Sequence, residues 1–431
     1  MTAKGHSALT PIQLIESNLW IEGIPGNFPS HRQEARDFFK KSEFPTTKTE
    51  AWRFTKIDEI LKTKFEYDFE ENDELKNVAL APSYSDQCLK IDIINGLTDE
   101  NSINHVSLEE EGISLKLISD EVDKNKSHSS LPESNRDNLN AFSAMNMALF
   151  TQVISLKIAE NQKISKPILL NINSQSADNP INSNIRINIT GGKHSEFSII
   201  ESYSGDKTYF NNSVVNIFVG CGTKLNYYKI QNESNKAYNI SNTEIYQKQD
   251  SLVNAYILSF SGKLIRNDIQ VDLKGEGAEV NLLGLTLGQD RDHIDNTVLM
   301  NHCKPHCMSN QLFKSILDHK SHGVFSGLIT VFADAQKTDA RQKNQNLILS
   351  DSASMNSNPQ LEINADDVRC SHGSTTGQLD DEAIFYLRSR GIPLEDARKM
   401  LINGFSHDII KDIDFIPLKE SLKIYLDNYL T

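Results

Sequence analysis

The sequence predicts a mainly β protein with helical segments at both ends. Between about residues 164 and 364, short runs of β-branched and aromatic residues recur, separated by glycine-bearing turns such as Gly191-Gly192 and Gly275-Glu276-Gly277. Asparagine and other polar residues alternate with the apolar ones, and no long helical pattern separates the runs. A sandwich, a barrel or a β-solenoid would each fit many short strands. The polar alternation and the lack of intervening helices favour coils stacked as a β-helix, although no strict repeat is readable.

The strand prediction rests on runs in which apolar residues dominate a short extended segment. These runs are Ile185–Ile189, Phe197–Ile200, Val214–Val219, Leu225–Tyr228, Leu252–Leu258, Ile265–Val271 and Val280–Leu283. We therefore divide the chain into an N-terminal, mostly helical region (1–160), a β-helix core (161–375) and a C-terminal helical region (376–431).

Helix signals justify the two flanking regions. Thr10-Pro11 predicts an N-cap followed by proline in the first turn, and residues 141–159 are apolar at helical spacing. After residue 379, Asp380 is a predicted N-cap and Gly391 a predicted helix stop. A second helix is predicted to begin near Pro393 and a third to span residues 417–430.

Composition limits the class of protein. The 431 residues carry a formal net charge of -14, which gives no electrostatic reason to bind nucleic acid. No apolar run approaches the roughly 20 residues of a membrane-spanning helix, and the N-terminus lacks the apolar core of a signal peptide. The five cysteines, at positions 88, 221, 303, 307 and 370, are scattered and odd in number, which argues for a reducing compartment. We expect a soluble cytoplasmic protein.

Cys370-Ser371-His372-Gly373 is the first candidate site. On an extended backbone, residues i and i+2 point to the same side, so Cys370 and His372 are predicted to face one metal or one partner together. A second candidate is Asn301-His302-Cys303-Lys304-Pro305-His306-Cys307, because imidazole and thiolate are zinc and iron ligands. Its spacing is not that of a zinc finger, and a structural or turn role for His302, Cys303, His306 and Cys307 is the competing interpretation.

Enzymatic signatures are lacking in the sequence. There is no Gly-x-Ser-x-Gly elbow and no phosphate-binding glycine loop. Asp366 and Asp367 resemble the carboxylate pairs of polysaccharide-active β-helices, but adjacent residues of a strand face opposite ways. We therefore expect a protein that is not an enzyme.

The segment after residue 334 also carries a family resemblance. The residues that carry it are Ala335–Ala340, Asn346–Ser350, Leu361–Val368, Cys370–Gly373 and Phe385–Ile392, with further blocks upstream at Thr49–Thr55, Gly275–Glu279, His302, Pro305, His306, Ser309 and Gln311. Together they resemble the SufB/SufD family of the Suf iron–sulfur cluster assembly machinery, and its SufD subunits in particular. The SufB subunits typically carry a cysteine just ahead of the segment that corresponds to Leu347-Ile348-Leu349. This chain has no thiol there.

The resemblance implies a right-handed parallel β-helix flanked by helical regions. It implies a SufBCD heterotetramer with a SufB paralogue and the SufC ABC ATPase, and a possible homodimer in isolation. A transient iron–sulfur cluster would form at the SufB–SufD interface, where His372 matches the family's assembly residue and Cys370 is its neighbour. The helical C-terminus would dock the ATPase, with candidate docking residues Phe385, Tyr386, Leu387, Arg390, Leu401 and Phe405.

Two other interpretations stay open from the sequence. A β-helix carbohydrate-active enzyme would show a cleft of several carboxylates along one face. A structural adaptor for an ATPase would have no use for His372 as a ligand.

Overall fold

The chain forms a parallel β-solenoid, which confirms the predicted fold class. The computed structural model describes residues 8–17, 28–67, 81–119, 139–175 and 179–429. A ten-stranded sheet has the order β18-β16-β14-β12-β10-β8-β6-β4-β3, with β1 beside β6. A nine-stranded sheet has the order β19-β17-β15-β13-β11-β9-β7-β5-β2. From β4 onward, successive strands alternate between the two sheets, so each coil contributes one strand to each. The pairing is parallel except between β3 and β4.

The bounds of the elements are as follows. The strands are β1 Glu66–Tyr67, β2 Leu89–Ile94, β3 Ile113–Ile118, β4 Val153–Ile158, β5 Ile168–Ser174, β6 Ile181–Gly191, β7 Glu196–Gly205, β8 Tyr209–Val219, β9 Lys224–Asn232, β10 Tyr238–Gln247, β11 Leu252–Ser261, β12 Leu264–Leu273, β13 Glu279–Gly288, β14 His293–His302, β15 Met308–Leu317, β16 His322–Val331, β17 Asp339–Ile348, β18 Ser354–Ile363 and β19 Arg369–Gly377. The helices are α1 Pro11–Ser17, α2 Pro29–Phe39, α3 Asp58–Lys62, α4 His105–Glu110, α5 Ala141–Leu149, α6 Asp381–Ser389, α7 Leu394–Ile410 and α8 Ile416–Tyr429.

The coils differ in length, which explains why no repeat is readable in the sequence. Ser241 bonds a residue 26 positions later on the next coil, whereas His322 bonds one 32 positions later. Because the loops absorb these differences, the strands stay in register while the sequence period drifts. Only the alternation of inward and outward side chains is preserved.

One turn of each coil stacks on the same turn of the next coil. It contains a residue in the left-handed region, for example Gly222 (φ 63°), Gly277 (φ 69°) and His306 (φ 59°). The N–H of each donates to a carbonyl of the following coil, as from Gly277 to Pro305 and from His306 to Gln336. The predicted glycine turns are thus confirmed, and histidine takes the same position in a later coil.

Apolar side chains fill the inside of the solenoid. Inward residues of both sheets form one continuous core, from Ile91 near the first coils to Val331 and Ala340 near the last. The inside also holds a buried polar cluster, in which the Tyr227 hydroxyl donates to Glu201 (2.9 Å) and Lys229 Nζ lies 3.9 Å from the same carboxylate.

The N-terminal segments cover the outward face of the ten-stranded sheet. The ring of Trp52 packs against the buried Arg266 guanidinium, whose Cζ atom lies 3.8 Å from the ring centroid. Asp268 and Asp295 hold that guanidinium from either side, and Asp295 also accepts a hydrogen bond from the Thr55 hydroxyl. The Thr49–Thr55 block therefore attaches the N-terminal region to the solenoid.

Helices α7 and α8 cover the outward face of the nine-stranded sheet. Leu418, Leu422 and Leu426 of α8 are buried there with Ile402 and Ile409 of α7, against a row that includes the stacked rings of Tyr228 and Tyr256. Burial of each such side chain contributes roughly 1.5–3 kcal/mol. The two helices are thus integral to the fold.

Strands β2, β3 and β4 lie before residue 161 and belong to the two sheets of the solenoid. The proposed division of the chain at residues 160 and 375 remains a prediction. None of the described helices is long and apolar enough to cross a membrane.

Candidate functional site

The last coil leaves the solenoid open at one end. Among the described residues, β18 pairs only with β16, and β19 pairs only with β17. Each strand therefore presents a row of unpaired backbone N–H and C=O groups. Apart from the half-buried Cys370, the residues of β19 are exposed, in contrast to the largely buried strands of the middle coils, such as β13. This open end is the least covered part of the solenoid.

Cys370 and His372 lie on the inward side of β19. In the parallel register, Cys370 pairs with Ala340 and His372 with Gln342, and both of these partners in β17 are buried inside the solenoid. Cys370 is half-buried and packs against the core, and burial raises the pKa of its thiol. His372 is exposed at the open end. The imidazole is thus the more accessible of the two donors.

Gln342 is a residue of this site that the sequence did not reveal. Its Nε2 donates to Gln311 Oε1 at 3.2 Å, one coil further in. Its Oε1 is buried without a hydrogen-bond partner among the residues that the structure describes, directly beneath the coil that carries His372. The only signal in the sequence would be a polar residue at an inward position of the preceding coil. That position can be recognised only when the strand register is known.

The residues of the second motif point in different directions. His302 is fully buried, and its Nε2 lies 2.8 Å from the Ser309 hydroxyl. Cys307 is buried and directs its Sγ at the Gly275 carbonyl (3.2 Å), whereas His306 is the exposed residue of the stacked turn. Cys303 is half-buried and faces the carbonyl of Asn301.

Burial acts in opposite ways on the two kinds of donor in this motif, keeping the imidazole of His302 neutral and the thiol of Cys303 protonated. Burial lowers the pKa of His302 to about 4 and raises the pKa of Cys303 to about 11, so a thiolate at Cys303 is disfavoured. Within residues 8–17, 28–67, 81–119, 139–175 and 179–429, no three His, Cys, Asp or Glu side chains come together to hold a metal ion. In this arrangement the four side chains do not converge on one point, and their role as metal ligands remains a prediction.

Four carboxylates of the solenoid, those of Asp268, Asp272, Asp295 and Asp367, lie beside cations. Asp268 and Asp295 both bind Arg266, and Asp272 accepts from Asn301 and Gln270 and lies 3.3 Å from Lys274. Asp367 pairs with Lys337. A pair of carboxylates free for glycoside hydrolysis is not formed by these residues.

Helix α6 extends the chain beyond the open end. Asp380 caps it by accepting from the Glu382 N–H, and Gly391 follows it at φ 86°, as predicted. Every residue of α6 is described and none is buried. Phe385 is 75% exposed and Tyr386 58% exposed, and the Tyr386 ring lies under the Arg390 guanidinium at 5.2 Å.

The other candidate docking residues are partly used by the chain itself. Leu387 and Leu401 are half-buried. Phe405 packs against the cluster beneath α7 and α8, and Lys314 lies over its ring and donates to its carbonyl (2.8 Å). Among the six candidate docking residues, the exposed apolar side chains are therefore those of α6.

Comparisons with known proteins agree with these features. The SufBD core domain of the SUF system for FeS cluster assembly matches residues 172–405, more than half of the chain. A SufBD family iron–sulfur cluster assembly protein of Synechocystis sp. is 33% identical over 299 residues, which cover 67% of this chain and 66% of that protein.

Two relatives are similar over more of the chain. SufD of Escherichia coli, an iron–sulfur cluster assembly protein, is 28% identical over 387 residues, 89% of this chain and 88% of its own length. The chloroplastic protein ABCI7 of Arabidopsis thaliana is 27% identical over 413 residues, 93% of this chain and 85% of its own. The chain therefore belongs to the SufB/SufD family of iron–sulfur cluster assembly proteins and is a SufD-like member of it.

Proposed function

We propose that the chain is a non-catalytic subunit of an iron–sulfur cluster assembly scaffold. It pairs with a SufB-like paralogue through the open end of its solenoid and docks a SufC-like ABC ATPase through its C-terminal helices. The observation that carries the proposal is the uncovered last coil, in which unpaired strand edges surround the exposed imidazole of His372.

The open end is suited to a partner with the same architecture. Unpaired edge strands favour association unless they are covered. A paralogous solenoid would present edges with the same strand spacing and alternation, so backbone hydrogen bonds could continue across the interface from β18 and β19. Such pairing would bury His372 between the two chains.

His372 and Cys370 would contribute one side of the ligand set for a nascent cluster. Neutral imidazole and thiolate both bind iron, but two donors are too few to hold a cluster. Because burial favours the protonated thiol of Cys370, His372 is the first ligand and Cys370 the second. The partner would supply the remaining ligands, and the cluster is cargo that later leaves.

The ATPase would dock on α6. Phe385 and Tyr386 form an exposed aromatic pair, and Arg390 adds a positive charge beside them. Aromatic residues and arginine are the types that most often dominate binding energy at interfaces.

The test compares two matched histidine variants in the assembled complex. The chain is co-expressed with SufB-like and SufC-like partners as wild type, as His372→Asn and as His306→Asn. His306 is a suitable control because it is exposed and at φ 59°, which asparagine tolerates. We expect all three chains to co-purify with their partners, and only His372→Asn to lower the cluster content, measured by iron, sulfide and visible absorbance.

The outcomes separate the competing roles. An intact complex with an unchanged cluster content in His372→Asn would support a structural adaptor and exclude the ligand role. If neither partner co-purifies with the wild type, the scaffold assignment itself fails.

A further inference from the structure

A cavity of about 400 Å³ lies between the N-terminal helices and the ten-stranded sheet. Its walls come from α2 and α5, including the apolar side chains of Phe38 and Met147, and its floor is the outward face of β6, β8 and β10. Lys41 and Ser42 at its rim are exposed, so solvent reaches it. The volume lies within the range of small-molecule sites, and the cavity is remote from the open end of the solenoid.

The strand register assembles a polar floor. Arg186, Val214 and Asn242 lie side by side on neighbouring strands, and Asn216 and Glu244 form a second row two residues further along. Neighbouring strands lie about 4.8 Å apart, and residues i and i+2 of one strand lie about 7 Å apart. These groups are therefore within the span of one small ligand. A cation, two amides and a carboxylate thus share one face of the cavity.

Arg186 has hydrogen-bonding capacity that the protein does not use. Its side chain is buried, with 4% exposed, yet among the described residues it donates one hydrogen bond, from Nη1 to Asn146 Oδ1 at 3.2 Å. A guanidinium carries five N–H donors, and a buried one is usually paired through several of them. Arg186 lines the cavity, so a ligand there can accept the remaining donors.

The two amides of the floor are also incompletely matched. Asn242 Oδ1 accepts from Asn140 Nδ2, but its Nδ2 is buried without a partner in the described part of the chain. Asn216 Nδ2 donates to Asn188 Oδ1, and its Oδ1 likewise lacks a partner there. Both unmatched atoms are closed off from solvent, so Arg186 and Glu244 are the polar groups of the floor that a ligand can contact.

The charges around the cavity select the class of ligand. Glu34, Asp37 and Glu244 are acidic and Lys41 and Arg186 are basic, and Asp37 is already paired with Lys40 at 3.0 Å. A simple anion would lie beside the carboxylates of Glu34 and Glu244, and a simple cation would leave the unused N–H donors of Arg186 without an acceptor. A molecule with a carboxylate at one end and an ammonium group beside it matches both.

We propose that this cavity binds a small zwitterion of the α-amino acid class with an apolar side chain. The carboxylate accepts from Arg186, the ammonium group donates to Glu244, and the side chain packs against Phe38 and Met147. This site is separate from the cluster-assembly role, and its occupancy requires neither iron nor a partner chain.

The test measures binding to the purified full-length chain by calorimetry, with unfolding temperature as a second readout. The probes are L-leucine, 4-methylpentanoate, which lacks the amino group, and 3-methylbutylamine, which lacks the carboxylate. We expect L-leucine to bind and each analogue to bind at least about tenfold more weakly. No heat and no rise in unfolding temperature with L-leucine up to about 10 mM would overturn the proposal, as would equal binding of either analogue.

Two variants assign the contacts. Arg186→Met should weaken leucine binding at least about tenfold, whereas Arg341→Met, which removes an exposed arginine elsewhere, should leave it unchanged. If Arg186→Met does not fold, Glu244→Gln decides the matter, because it should weaken binding of leucine and not of 4-methylpentanoate. Unchanged leucine binding in a folded Arg186→Met or in Glu244→Gln would contradict the proposal.

Discussion

Gln342, one coil beneath His372, fits inside the solenoid because residue 327 on the opposite sheet is glycine. A Cβ atom at Gly327 would lie 2.3 Å from Gln342 Nε2 and 2.8 Å from its Cδ. Gly373, beside His372, has no atom within 4 Å of the corresponding position. Position 327 therefore has no room for a larger side chain, whereas position 373 has room for one. The sequence alone shows neither property.

We predict that Gly327→Ala destabilises the fold by about 1–3 kcal/mol, because the buried amide of Gln342 has little room to move. Gly373→Ala should be neutral or slightly stabilising, since it meets nothing and reduces the freedom of the unfolded chain. Urea unfolding of both variants measures the difference. Equal stability of the two would show that Gln342 can rearrange freely.

Glu233 is a buried carboxyl that links stability to pH. Burial raises its pKa from about 4.5 to about 7, even though the Tyr209 hydroxyl donates to it at 2.6 Å. Between these two values the folded chain keeps a proton that the unfolded chain loses. The contribution of Glu233 to the free energy of unfolding is therefore present below pH 4.5 and is lost as pH rises through about 7.

We predict that Glu233→Gln becomes more stable relative to the wild type as pH rises from 5 to 8, by about 3 kcal/mol at most. Chemical unfolding of both proteins across this pH range measures the change. The exposed Glu362→Gln is the control and should show no such trend. A stability difference that is independent of pH would mean that Glu233 is ionised throughout.

At the scale of elements, local signals defined the C-terminal helices well. Asp380 and Gly391 bound α6 because capping and a left-handed stop depend on the residues themselves. Strands β2 and β3 were not predicted, and the helix predicted over 141–159 was wrong after Leu149, where β4 follows, because these short segments become strands by pairing with distant coils. Between these extremes, α8 was predicted to within one residue of its ends, and the surface that it covers was not.

We predict that Phe385→Ala leaves the unfolding temperature unchanged, because the ring is exposed, and weakens ATPase binding by about tenfold or more. Val106→Ala on α4 is the matched control, since Val106 is also exposed (67%) and lies in the N-terminal region. Affinity for a purified SufC-like subunit is the measurement. Equal binding by the wild type and Phe385→Ala would remove α6 from the docking surface.

At the scale of the whole molecule, the solenoid is capped along its sheet faces and open at its last coil. The open end holds one accessible imidazole and one half-buried thiol, which is an incomplete ligand set for iron. We therefore expect the isolated chain to supply only part of an iron site. A second copy of the chain can also cover the unpaired strand edges of the last coil.

We predict that the isolated chain retains far less than one equivalent of iron after incubation with ferrous iron and desalting, and that addition of a SufB-like partner raises the amount. Iron analysis of the gel-filtration peaks measures this, and also shows whether the chain dimerises alone. Stoichiometric iron in the isolated chain that disappears in His302→Ala would instead assign the metal to the second motif.

The sequence by itself determined the β-rich core, the capped helices at its end and the family, because alternation, capping and motif blocks are local properties. Only the tertiary structure decided which residues meet. It stacked Gln342 beneath His372, turned the His302–Cys307 motif into part of a stacked turn and left the last coil uncovered. The physical reason is that coil lengths vary from 26 to 32 residues at the bonded positions, so neighbours across coils follow from hydrogen-bond register and not from a fixed spacing in the sequence.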